Sequence, residues 1–177
     1  LAGGSRLVVM LVDDGISSGV TGSSGSPDLD RSLRSAISIT EQLDPGDRVA
    51  LITMSHPPTM LTDGPTINID AVTRMIGEIK PASSRTNIDA AIDMAVSIVD
   101  GHSSTSPTSI VMLSSWRKGS VARSPGRPIL KEAETPDERP VRFIASEPTS
   151  ETVTILSITD VSMRKVIETS TNDRPQI

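Results

Sequence analysis

The sequence predicts a three-layer α/β sandwich on a doubly wound, mostly parallel sheet with one short antiparallel edge strand. Short, continuous apolar runs recur along the chain, as in strands buried on both faces. Segments with apolar residues at helical spacing separate them, which is the rhythm of strand, helix, strand crossovers. Aromatic residues make up only 1% of the 177 residues. Ile, Val, Leu, Met and Ala must therefore fill the core, and such side chains suit close packing of helices on a sheet.

The first run, Arg6-Leu7-Val8-Val9-Met10-Leu11-Val12, ends in Asp13-Asp14-Gly15 and reads as the central strand. A Gly/Ser-rich segment from Ser17 to Ser26 follows. Pro27 and Asp28 then open a helix with Leu29, Leu33, Ala36, Ile37 and Leu43 on its inner face. Asp44-Pro45-Gly46-Asp47 breaks that helix, and Arg48 to Met54 forms a second buried strand. After Pro57 and Pro58, Thr59-Met60-Leu61 reads as a short edge strand. Val72, Met75, Ile76 and Ile79 mark a short amphipathic helix whose cap is Asn68 or Asp70.

The loop from Lys80 to Arg85 delivers Thr86-Asn87 as caps to a third helix, with Ile88, Ala91, Ile92, Ala95 and Val99 facing inward. Gly101 to Pro107 ends it. Ser109 to Leu113 is another apolar strand, stopped by Ser114-Ser115-Trp116-Arg117-Lys118-Gly119. From Val121 to Pro140 the Pro, Gly and charged residues support no helix. Val141 to Ala145 is a further strand, and Thr152 to Ile158 another.

The bulk composition narrows the function. A net charge of -5 and the dearth of aromatic residues leave neither an electrostatic footprint nor a stacking surface for nucleic acid. With no cysteine, disulfides, thiolate metal sites and cysteine nucleophiles are excluded. No run reaches the roughly 18 to 20 apolar residues of a membrane helix. The chain begins at Leu1 rather than Met, which suggests a segment of a longer protein, with any anchor outside it.

In a doubly wound sheet, ligands are expected at the carboxyl ends of the strands. Three segments converge there: Asp13-Asp14-Gly15-Ile16-Ser17, Thr86-Asn87 and Ser114-Ser115. One carboxylate with several hydroxyls is the ligand type that suits Mg²⁺ or Mn²⁺. On the residues alone, plainer roles compete: Asp13 and Ser17 as turn formers, Thr86 as a helix cap, and Ser114-Ser115 as loop residues.

From Arg6 to Ala145 the chain resembles the von Willebrand factor A (VWA) family, whose sheet is Rossmann-like. The resemblance rests on the first strand and its loop, on Leu43-Asp44-Pro45-Gly46-Asp47-Arg48-Val49-Ala50-Leu51, on Thr86-Asn87 and on the strand from Ile110 to Leu113. In that family an Asp-x-Ser-x-Ser loop, a Thr and a later Asp form a metal-ion-dependent adhesion site, which a partner's carboxylate often completes. Carried over, the resemblance implies Asp13, Ser17 and Thr86 as retained metal ligands. Gly15 stands where the family has its first Ser, and Ser115 where it has Asp. Losing a hydroxyl and a carboxylate removes much of what holds a dication, so the expectation is no cofactor, or weakly bound Mg²⁺ or Mn²⁺, with Asp14 and Asp89 as candidate substitutes.

Within the family the chain looks most like the BatA-type bacterial membrane proteins, through Leu113-Ser114-Ser115-Trp116-Arg117-Lys118-Gly119-Ser120. That likeness implies a soluble domain of the bacterial cell envelope, periplasmic by preference, anchored through segments outside this chain. Residues 1–149 form the VWA-like domain. Residues 150–177 are either its last strand and helix or the start of an immunoglobulin-like β domain.

Two other readings compete. Leu11-Val12-Asp13-Asp14 resembles the acidic pair of a phosphorelay receiver, but the strand at 48–54 ends in Met54-Ser55 without a phosphoacceptor Asp. A serine hydrolase would need a nucleophile elbow, and Gly15-Ile16-Ser17-Ser18-Gly19 has its second Gly one residue late. His56 and His102 sit in loops without a paired nucleophile. The function expected is therefore non-catalytic binding of a protein partner, with Asp14, Trp116 and Arg117 as contact candidates. For Trp116 the plainer role is to cover the core edge.

Overall fold

The computed structural model describes residues 5–21, 25–102, 107–116, 121–122 and 141–146. Strands β1 (Leu7–Val12), β2 (Arg48–Thr53), β3 (Thr59–Met60), β5 (Thr108–Leu113) and β7 (Val141–Ala145) form one sheet in the order β3-β2-β1-β5-β7. Only β3 runs antiparallel, against β2. As expected, β1 is central: Leu7 to Val12 pair in parallel with Arg48 to Thr53 on one side and with Thr108 to Leu113 on the other. All six residues of β1 are buried, which is why this strand is continuously apolar rather than alternating.

The pleat sends alternate residues to two separate cores. Leu7, Val9 and Leu11, with Ala50, Ile52, Ile110 and Met112, meet Ile88, Ala91, Ile92 and Ala95 of α3 (Ile88–Gly101). Val8, Met10 and Val12, with Val49, Leu51, Val111 and Leu113, meet Leu29 and Ala36 of α1 (Asp28–Glu41) and Val72 and Ile76 of α2 (Ile69–Glu78). The three-layer, doubly wound sandwich is therefore the observed architecture. Asn68 rather than Asp70 caps α2, its side chain accepting from the Ala71 amide at 3.1 Å.

Two features were not read from the sequence. Ile16–Gly19 forms a single 3₁₀ turn, and Thr86–Asn87 (β4) pairs in parallel with Val121–Ala122 (β6) in a small second sheet. The segments expected at Thr152 to Ile158 and beyond, and with them the assignment of 150–177, lie outside the described residues. Among the described residues no helix is long and apolar enough to cross a membrane.

The amino end of the sheet is fixed by the Asp44-Pro45-Gly46-Asp47 turn. Gly46 has φ +99° and Asp47 N donates to Asp44 O at 3.0 Å, so a residue without a Cβ occupies the left-handed corner of the turn. The turn aims the buried Asp47 carboxylate at the start of β1. It accepts from the Arg6 amide at 2.7 Å, from Arg6 Nε at 2.9 Å and from the Asp44 amide at 3.0 Å. Burial alone would raise the Asp47 pKa, but the bonds from the Arg6 amide and guanidinium and the Asp44 amide outweigh it and hold the pKa below the usual carboxylate range.

A carboxylate whose folded pKa is depressed contributes stability above its unfolded pKa and loses it as pH falls through the folded value. Asp47→Ala should therefore lower unfolding free energy by about 2–3 kcal/mol at neutral pH. The deficit should shrink as pH falls below about 4. Urea unfolding of both proteins across the acid range measures it; a pH-independent deficit would show that the charge is not what holds the turn.

Candidate functional site

The sheet changes direction around β1: the chain goes first to β2 on one side and later to β5 on the other. The carboxyl ends of β1 and β5 thus border the crevice where ligands bind in open α/β sheets. Asp13, the first residue beyond β1, is still tied to β5 by its amide, which donates to Leu113 O at 2.9 Å. Its side chain is 1% exposed, so donors must replace the water it has lost.

Three donors do so. Asp13 Oδ1 accepts from the Thr86 hydroxyl at 2.5 Å and from the Gly15 amide at 3.1 Å. Oδ2 accepts from the Ser114 hydroxyl at 2.6 Å. Hydrogen bonds to an ionised acceptor are short and about twice as strong as neutral ones. Asp13 and Thr86 therefore come together as the sequence suggested, and the second hydroxyl comes from Ser114 of the Ser114-Ser115 segment. Ser115, at the position singled out by the family pattern, is buried beside it. Ser17 is buried in the 3₁₀ turn and is not among the donors to Asp13.

Gly15 sits close against this cluster. A Cβ at residue 15 would lie 2.2 Å from Thr86 Oγ1, 2.8 Å from the Thr86 amide nitrogen and 3.2 Å from Asp13 Oδ1. The Thr86 hydroxyl thus lies where a side chain at position 15 would begin.

Asp14 points elsewhere. It is 6% exposed, and its Oδ1 and Oδ2 accept from the Ser55 amide at 2.7 Å and the Ser55 hydroxyl at 3.0 Å. Burial raises its pKa above the ordinary value against the two Ser55 bonds, and the charge of Asp13 adds to the rise. Asp14, a candidate contact residue and substitute ligand in the sequence, is thus buried with both carboxylate oxygens bonded to Ser55. It serves to anchor the loop after β2, and its carbonyl accepts from the Ala82 amide at 2.7 Å. Nothing in the sequence singled out Ser55; a Ser one residue past a buried strand carries no signal of its own.

The loops are laced to one another by backbone bonds. Ile16 N donates to Ser84 O, His56 N to Arg85 O and Asn87 N to Met54 O, at 2.8, 2.9 and 2.8 Å. Asn87, rather than Thr86, caps α3, with Oδ1 accepting from the Ala90 amide at 3.1 Å. That leaves its Nδ2 to donate to His56 Nδ1, 3.1 Å away, and places the proton of a neutral His56 ring on Nε2. His56 is exposed, and Asp89 lies in the first turn of α3.

Trp116 closes the β5 side. Its φ of +54° is left-handed, a region costly for a bulky residue. Its indole Nε1 donates to Ser146 O at 2.8 Å, its amide to Ser114 Oγ at 3.2 Å, and its ring packs on the α3 core. Ser146 Oγ in turn accepts from Ser114 N at 3.0 Å and donates to Ser114 O at 2.7 Å. Trp116 therefore pins β5 to the end of β7 while its ring covers the edge of the core. Arg117 lies outside the described residues.

Residues 8–117 match the model of the von Willebrand factor type A domain. The chain belongs to that family. Similar solved structures include three N-terminal domains of the type V pili tip protein Mfa5 from Porphyromonas gingivalis, at 21% identity and TM-score 0.53, covering 61% of this chain and 19% of that one. The conserved hypothetical protein BatB from Bacteroides thetaiotaomicron follows at 19% and 0.52, covering 62% and 52%. An aerotolerance-related membrane protein from Bacteroides fragilis has the same identity and TM-score and covers 62% and 53%. At such identities the likeness is one of fold, and the VWA chain spans from a fifth to about half of these proteins. No curated protein matches the chain. With the family established, the receiver reading falls away.

Trp116 is the only tryptophan, so its fluorescence reports directly on this corner. Trp116→Phe removes the indole donor while keeping a ring, and should lower the unfolding midpoint by about 2–4 °C. An unchanged midpoint in thermal denaturation would mean that the bond to Ser146 contributes nothing.

Proposed function

We propose that this VWA domain is a non-catalytic protein-protein interaction module that docks a partner at the carboxyl ends of its strands, with little or no dependence on a metal. The reading rests on one observation: a hydrogen-bonded cluster of Asp13, Thr86 and Ser114 lies at the crevice beside Ile16, which is 57% exposed. An apolar side chain held out next to buried polar groups offers the mixed contact that protein interfaces use at their centre.

The donor set does not suit a dication. The family's adhesion site would draw on Asp13, Ser17 and Thr86, but Gly15 supplies no hydroxyl and Ser115 no carboxylate, and both oxygens of Asp13 already accept from protein donors. Hard cations of this size need several oxygen ligands and charge to compensate for lost hydration. Contact with the partner is therefore assigned to the exposed Ile16 and the loops around it, which the buried Thr86 and Ser114 hydroxyls hold in place by donating to Asp13. Trp116, at the same end of β5, and Arg117, which follows it in the sequence, are kept as candidate contact residues.

A place in the bacterial cell envelope, in a larger membrane-anchored protein and on the periplasmic side, is proposed from the resemblance to BatA-type proteins. Solved structures of similar fold described as a membrane protein and a pilus tip protein support the envelope part of this reading.

Photo-cross-linking from position 16 tests the docking face, with position 67 as control. Ile67 is 62% exposed but follows Thr66, which pairs with Val49 near the opposite end of the sheet. In cells of the source organism, a discrete protein adduct from position 16 and none from position 67 is the expected result. Adducts from position 67 alone would move the interface to the other end.

A further inference from the structure

We infer that Asp13, Thr86 and Ser114 form a hydrogen-bonded latch that ties three loop ends together without a metal, and that Gly15 makes this closure possible. The inference deepens the metal-independent part of the function proposed above. The segments joined are the end of β1, the start of α3 and the end of β5, which in the chain lie 73 and 101 residues from Asp13. A metal at such a place would hold these segments through its ligands. Here the carboxylate itself is the hub, accepting one hydroxyl from each side and the Gly15 amide between them.

The closure depends on the missing side chain at position 15. A Cβ there would stand 2.2 Å from Thr86 Oγ1, which rotation of Thr86 about χ1 would relieve. It would also stand 2.8 Å from the Thr86 backbone nitrogen, which only movement of the loop relieves. A serine at position 15, the residue of the family pattern, therefore forces the Thr86 segment away from Asp13. The Thr86 hydroxyl in the latch and a hydroxyl-bearing side chain at 15 exclude one another. Loss of the family's first Ser is thus more than a lost ligand: it creates the space into which Thr86 closes. On the other side Ser114 is held for its task, since its Oγ accepts from Trp116 N and its backbone is bonded twice to Ser146.

The test is thermal unfolding of the full chain in EDTA and in millimolar Mn²⁺, with Mn²⁺ binding read in parallel by electron paramagnetic resonance. The wild type should have the same midpoint in both media and leave the Mn²⁺ signal free. Thr86→Val and Ser114→Ala should each lower the midpoint by about 3–8 °C in both media. Gly15→Ala should do likewise, and adding Thr86→Val to it should cost little more, because the latch is already open. Thr86→Ser keeps the hydroxyl and should remain near wild type, which separates the latch from packing of the Thr methyl.

A wild-type midpoint that rises by several degrees in Mn²⁺, with the rise abolished in Asp13→Asn, would overturn the inference. So would a Thr86→Ser variant as damaged as Thr86→Val, or full additivity of Gly15→Ala and Thr86→Val. If Thr86→Val does not fold, the Thr86→Ser midpoint and the wild-type Mn²⁺ titration still decide. No partner enters the experiment, so its failure and failure of the docking proposal are separately visible.

Discussion

A carboxylate that follows directly on a wholly buried strand has lost its water and must be met by the protein. Asp13 is in that position, and the top of the sheet is arranged around it: Thr86 from the loop before α3, Ser114 from the end of β5 and the amide of Gly15 all turn toward it. An ionised group left unpaired at such depth costs several kcal/mol. The three loops are therefore constrained together as strictly as core residues are. Neighbouring bonds, such as Ser55 to Asp14 and Ile16 to Ser84, complete a surface with little freedom to rearrange.

The opposite end of the sheet uses the same device for a different purpose. Asp47 is also buried, and it too gathers donors from separate segments, but one of them is the Arg6 guanidinium. That pair neutralises itself and fixes where β1 starts. The Asp13 cluster has hydroxyl and amide donors instead of a cation, so its negative charge stays. Asp14, buried one residue further on, feels that charge as part of what raises its pKa. One end of β1 is electrically closed and structural. The other keeps charge and hydroxyls next to an exposed Ile16.

The layers were legible because β1, β2 and β5 are buried on both faces and so write themselves as unbroken apolar runs, while α1, α2 and α3 keep a 3.6-residue rhythm. Asp13 and Thr86 were legible through the family pattern. Ser114 was legible as part of the converging Ser114-Ser115 segment but not as the donor to Asp13, and Ser55 was not legible at all, since a serine in a loop acquires a role only when tertiary structure brings it to a buried carboxylate. The pairing of Thr86–Asn87 with Val121–Ala122 involves two residues on each side, too few for any periodicity. The sequence marked Gly15 as a missing ligand, but its steric meaning depends on how close Thr86 comes, a distance that exists only in the fold.

Trp116 shows how the β5 end can tolerate a conformation suited to glycine. A left-handed backbone at a bulky residue costs on the order of 1–3 kcal/mol and persists only where the surroundings over-determine it. Here two hydrogen bonds, to Ser114 and Ser146, and packing of the ring on the α3 core fix the residue on three sides. Glycine would take the same φ without strain but would give up the indole bond and its cover over the core edge. The strained Trp thus holds Ser114 in place from behind, through the same hydroxyl that donates forward to Asp13. One serine hydroxyl, receiving from a strained amide and donating to a buried carboxylate, connects the edge of the sheet to its centre, and bonds in such a chain polarise and strengthen one another.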